Sequence, residues 1–257
     1  MVIVNKKGQV AIYVIVALAI LAVVLIFLIY PKIRPGMTED VSANPQGYLS
    51  NCLNSVIKEQ IAERALHGGD IDPEGAILFN NEKIKYLCYT SDYYKTCTVQ
   101  EPLIKERMEE KLSTELKAEA EKCVDLMVQA YEKSGFSVSK TNTQADVNID
   151  PNQISVKINS PMTITKETSR TYKEFEFNFP SQYYQLFYIA SSIVDYEATF
   201  GNSETTAYLV YYPEISIDKI QLGDGTRIYK ISNTLTKEAF TFAVKSLVWP
   251  PGGYQRI

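Results

Sequence analysis

From Val10 to Tyr30 the chain reads VAIYVIVALAILAVVLIFLIY, an apolar run without a single charged side chain. As a helix rising ~1.5 Å per residue it would extend about 31 Å, the thickness of a hydrocarbon core. A buried helix of a soluble domain is usually shorter or polar along one face. The run also exceeds the roughly 7–15 apolar residues of a secretory signal, and Ile29-Tyr30-Pro31 is no small-residue cleavage site. The sequence therefore predicts a retained single N-terminal transmembrane helix over residues 10–30. A basic leader at 1–9 precedes it, and a linker at 31–45 and an α+β domain at 46–257 follow.

Lys6 and Lys7 on one flank oppose Lys32 and Arg34 on the other, so charge alone gives a mild preference for a cytoplasmic N-terminus. Four cysteines, Cys52, Cys88, Cys97 and Cys123, all lie beyond the run, and an even number suits an oxidising exterior. The expected topology is a single pass, N-terminus cytoplasmic and C-terminal domain outside. Of 26 Lys and Arg, two stand in the leader, which leaves the rest outnumbered by 30 Asp and Glu. With no dense basic cluster to neutralise phosphates, nucleic acid is excluded as an expected partner.

Lys6-Lys7-Gly8-Gln9 ahead of an apolar helix resembles the class III signal peptide of archaeal type IV pilin-like proteins. The resemblance covers the N-terminal segment only. It implies that a prepilin-type peptidase cuts after Gly8, leaving Gln9 as the new terminus of a helix that stays in the membrane or joins a filament. It implies envelope or pilus proteins as partners. Two departures stand out. Tyr13 occupies the place of the early glutamate of many mature pilins, and Pro31, Pro35, Gly36 and Pro45 interrupt the spine that pilins continue into their heads. The body resembles uncharacterised archaeal membrane-anchored envelope proteins, which supplies no activity.

In the body, Leu49, Cys52, Leu53, Val56, Ile57 and Ile61 recur at helical spacing before a Gly68-Gly69 stop. A hairpin is expected about Asn80-Asn81, and a long helix from Glu101-Pro102 to Ser134. From Phe136 to Phe179 the period changes to two, with strands at 136–138, 147–149, 154–158, 162–164 and 175–179. Asp150-Pro151-Asn152 and Asn159-Ser160-Pro161 punctuate them. A third helix over 182–199, a hairpin about Gly223-Asp224-Gly225 and a strand through Phe240-Phe242-Val244 complete an antiparallel sheet with about three helices.

Cys52 and Cys123 fall on the apolar stripes of two predicted helices, which could bring the sulfurs together, and Cys88 and Cys97 flank a short polar loop. Four cysteines permit three pairings. No two stand two to four residues apart and His67 is the only histidine, so neither metal nor cofactor is expected. His67, in the last helical turn, suits the carbonyl end of the dipole. GxSxG, P-loop, HExxH and GxGxxG patterns are absent. No catalytic residue is assigned. The expected role is non-enzymatic: surface assembly, attachment or binding, for which an exposed aromatic or apolar patch would be the mark. The rival is an anchored hydrolase with paired carboxylates, which would show converging acids with raised pKa values. Tyrosines at 183, 184, 188, 208, 211 and 212 are the densest aromatic group.

Overall fold

In the computed structural model the described residues are 44–248, together with the isolated positions Val16 and Ile20. The Gly8-Gln9 dipeptide, the expected span as a whole and the linker up to position 43 lie outside them. Among the described residues no helix is long and apolar enough to cross a membrane.

Helix α1 (Pro45–Leu66) starts where Asn44 accepts a hydrogen bond from the Gly47 amide, 2.9 Å, in its side-chain oxygen. Pro45, expected to close the linker, instead opens this helix, because the first helical position needs no free N–H and favours a fixed φ. Leu49, Leu53, Ile57, Ile61 and Ala65 repeat every four residues and are buried. Beyond the His67 cap, Gly68 turns left-handed at φ 78°, and a Cβ there would meet the Lys85 Cβ at 2.7 Å. Only glycine combines that turn with so close an approach.

Strands β1 (Ala76–Phe79) and β2 (Glu82–Tyr89) form a hairpin in which Asn80 and Asn81 take φ of 51° and 69°, the primed geometry that matches strand twist. After the short β3 (Thr98–Val99) comes α2 (Ile104–Lys133), whose buried face includes Met108, Leu112, Leu116, Ala120, Cys123 and Met127. Cys52, near the start of α1, is bonded to Cys123, in the second half of α2, while Arg64 at the other end of α1 pairs with Glu115, earlier in α2. These two ties make the helices antiparallel.

Strands β4 (Ser137–Lys140), β5 (Gln144–Asp150), β6 (Gln153–Thr165) and β7 (Ser169–Pro180) build an antiparallel sheet. β7 pairs along β6, and the other edge of β6 is shared by β5 over 153–159 and β4 over 162–165. Ser160-Pro161 does not separate two strands as expected. β6 runs through it, because proline's missing N–H falls where β5 gives way to β4 and the pairing with β7 shifts between Asn159 and Met162.

Helix α3 (Tyr183–Phe200) ends at Gly201 in the left-handed region. Then follow a short α4 (Thr206–Tyr211), β8 (Ile215–Gln221), β9 (Thr226–Asn233) and β10 (Ala239–Lys245). They form a sheet in the order β1-β2-β10-β9-β8, with β3 also on β2. The sheet is mixed, correcting the antiparallel expectation: β10 runs parallel to β2. α4 makes four helices among the described residues, where about three were expected. α1 packs on α2, β10 and β7, and α3 covers β9 and β10, with Phe187 edge-on to Phe240 at 5.0 Å. The molecule is therefore α+β, and its core lies between the helices and both sheets.

Burial of Tyr183 beside α1 and the β9–β10 turn carries a pH consequence. Desolvation pushes its hydroxyl well above its ordinary value, and the Glu238 carboxylate adds to the effect. The unfolded chain loses this proton near pH ~10 while the folded one keeps it. Stability should be complete below that pH and fall above it by about 1.4 kcal/mol per pH unit per such tyrosine. Tyr183→Phe removes one such contribution, so urea midpoints taken between about pH 9 and 11 should decline less steeply than for the parent. An unchanged slope would refute the assignment.

Candidate functional site

The body carries a sealed acid cluster, an exposed aromatic ridge and an open cleft. The sealed cluster centres on Glu197, which has no exposed surface although it lies on α3. Its Oε2 accepts from Arg227 Nη2 at 2.8 Å, and its Oε1 accepts from the Tyr229 hydroxyl and from the Ser203 amide, 3.1 Å. Arg227 also donates to the Gly201 and Ser246 carbonyls. Burial, reinforced by Glu197, drives the Tyr229 hydroxyl far above its ordinary value. Every oxygen of this carboxylate is occupied by protein, so the cluster locks the end of α3 onto β9 and leaves no room for a substrate.

The ridge occupies the outer face of α3. Tyr184, Tyr188, Ser192, Tyr196 and Phe200 stand four residues apart, which stacks them along one side of a helix. Tyr188 and Phe200 are 61% and 62% exposed, and the Tyr196 and Phe200 rings lie 4.6 Å apart. α4 rests on this face through a 2.7 Å hydrogen bond between Tyr208 and Ser192, and presents Val210 and Tyr211 to solvent at 75% and 79%. No Lys or Arg occurs between Lys173 and Lys219, while Asp195, Glu204 and Glu214 lie in this stretch. The surface is thus aromatic and mildly acidic.

The cleft, about 510 Å³, opens beside β2 between the entry to β1 and the exit from β3. Ligand sites commonly fall in a range of ~300–1,000 Å³. Its rear wall is an ion-pair group: Lys85 Nζ donates to Asp70 Oδ2 and Glu101 Oε2, both at 2.8 Å, and Arg107 Nε donates to Glu101 Oε1 at 3.0 Å. Burial works to raise the Glu101 pKa, but the hydrogen bonds from Lys85 and Arg107 prevail and hold it below the usual carboxylate range. Its side wall is Tyr86 and Tyr89, edge to face at 5.0 Å. In a regular strand those positions would point to opposite faces. The β2–β10 register slips between Tyr86 and Cys88, so Leu87 and Cys88 both turn inward, fully buried, and the two tyrosines share a face.

Cys88 and Cys97, below this wall, are bonded to one another, so all four cysteines are paired and none is free. Among the described residues, no three or more His, Cys, Asp or Glu side chains are grouped to hold a metal ion. His67 caps α1 and is tied to β2, with Nδ1 2.9 Å from the Lys83 carbonyl oxygen and Nε2 3.2 Å from Glu82. Gly8 and Gln9 lie outside the described residues.

Sequence reasoning singled out the tyrosines of α3 and α4, but not the four-residue spacing that aligns Tyr184, Tyr188, Tyr196 and Phe200. That spacing was available in the letters. The cleft was not, because its residues come from four separate segments and its tyrosines share a face only through a bulge. Comparison with known protein families, curated proteins and solved structures gave no match.

Proposed function

We propose that the protein is a membrane-anchored cell-envelope component whose extracytoplasmic body serves surface assembly, attachment or binding and performs no chemistry. The apolar run at 10–30 holds it in the membrane, and a prepilin-type peptidase removes the leader between Gly8 and Gln9, as in the pilin-like proteins it resembles. The observation that carries the reading is the complete pairing of the four cysteines, which a reducing cytosol would not sustain. The exposed aromatic ridge supports a contact role, since tyrosines supply large rigid area at small entropic cost. A carboxylate hydrolase needs an acid kept protonated near neutrality. Among the described residues each carboxyl with a clear shift, Asp92, Glu101, Glu204, Glu214 and Asp224, is displaced downward.

Intact cells treated with a membrane-impermeant maleimide should leave the protein unlabelled, and labelling should appear after reduction under denaturing conditions. Labelling of permeabilised cells without reductant would mean reduced thiols and would sink the exterior assignment. Sequencing of the mature N-terminus should begin at Gln9; an intact Met1 would remove the processing step.

A further inference from the structure

We propose that the cleft beside β2 is a binding site for a neutral oligosaccharide. The inference rests on the binding role proposed above for the body and names its ligand class, independently of the ridge.

Lys85 is held between Asp70 and Glu101, Lys111 shares Asp70 and the Arg107 Nε is held by Glu101, so three cations rest on two carboxylates. Glu74, which also lines the cleft, is a third carboxylate and brings the group to charge balance. An anion reaching the Arg107 fork would also face Glu74 and Glu101, and a cation would face Arg107 and Lys85, so neither sign of charge is favoured. A neutral ligand incurs neither repulsion.

The unsatisfied groups specify what such a ligand must carry. Among the described residues no hydrogen bond engages the terminal nitrogens of Arg107, the Glu74 carboxylate or the Tyr89 hydroxyl. Arg107 offers a planar fork of donors and Glu74 a planar pair of acceptors, which together suit vicinal hydroxyls, each both donor and acceptor. The Tyr89 ring, 39% exposed beside Tyr86, gives an apolar platform for the C–H face of a pyranose. The Tyr86 hydroxyl is fixed by Thr226 at 2.9 Å, so the corner formed by the two rings is set before a ligand arrives. Charge balance, a rigid ring platform and flanking planar polar groups coincide in a cavity of about 510 Å³.

The test titrates the full chain, in a detergent without a sugar headgroup, with neutral trisaccharides of glucose, galactose, mannose and N-acetylglucosamine, read by calorimetry and saturation-transfer NMR. At least one should bind, with saturation strongest on the ring protons. Tyr89→Ala and Arg107→Ala should each weaken that binding roughly tenfold or more, the size expected for truncating a stacking or forked contact. Tyr89→Phe should restore most of it, and Leu235→Ala, in the exposed β9–β10 turn, should leave it unchanged. Absence of binding by every trisaccharide, binding indifferent to both truncations in folded protein, or displacement of the sugar by inorganic phosphate would overturn the proposal. Failure here with protected cysteines on intact cells would remove the sugar and leave the envelope assignment standing.

Discussion

The Glu197→Ala variant is expected to lose about 3–5 kcal/mol of stability, the usual cost of removing one member of a buried ion pair. The carboxylate is fully buried and serves Arg227, Tyr229 and Ser203 at once. Its removal leaves a guanidinium in the interior with only the Gly201 and Ser246 carbonyls as partners. Typical domains hold only about 5–15 kcal/mol in total, so the urea midpoint should collapse toward the start of the transition. Glu197→Leu combined with Arg227→Met should recover much of the loss, because apolar side chains of similar volume leave no unpaired charge. If the single variant unfolds at the parental midpoint, the cluster does not clamp α3.

The second large effect concerns the disulfide that joins the two long helices. Cys52 and Cys123 lie 71 residues apart, and closing a loop of that length restricts the unfolded chain by about 4 kcal/mol in the chain-entropy account. Cys88 and Cys97 are separated by 9, for which the same relation gives roughly 2.5 kcal/mol. The double variant Cys52→Ala/Cys123→Ala should therefore lower the urea midpoint more than Cys88→Ala/Cys97→Ala. Equal losses would mean that native packing around the sulfurs, and not unfolded-state entropy, sets their worth.

Particular elements show what the letters could and could not convey. α1 and α2 were legible because their apolar residues return every three or four positions and end at glycines, Gly68 and Gly135, which the structure places at positive φ. The hairpins at Asn80-Asn81 and Gly223-Asp224-Gly225 announce themselves through residues that tolerate a left-handed backbone. α4 was missed: it spans six residues, none of them buried, so no periodic face exists to read. The letters of β6 read as two strands since proline usually interrupts a ladder, and only its neighbours' changeover makes it tolerable there. The Glu197–Arg227 pair and the cleft depend on which distant segments meet, which local periodicity does not encode.

The parallel pairing of β2 with β10 joins positions 86 and 243, a strand from early in the body to the last one described. A chain made from its N-terminus can form the β1–β2 hairpin, the β4–β7 sheet and the nine-residue disulfide loop as it lengthens, since each is local. It cannot close the main sheet until residues 239–245 have followed. Until then the edge of β2 that β10 will occupy stands open, a template on which any other extended chain could pair. Completion of the body is consequently one late step, and such non-local closure is intrinsically slow. A newly made molecule spends that interval exposed to its neighbours, with β10 acting as the stopper.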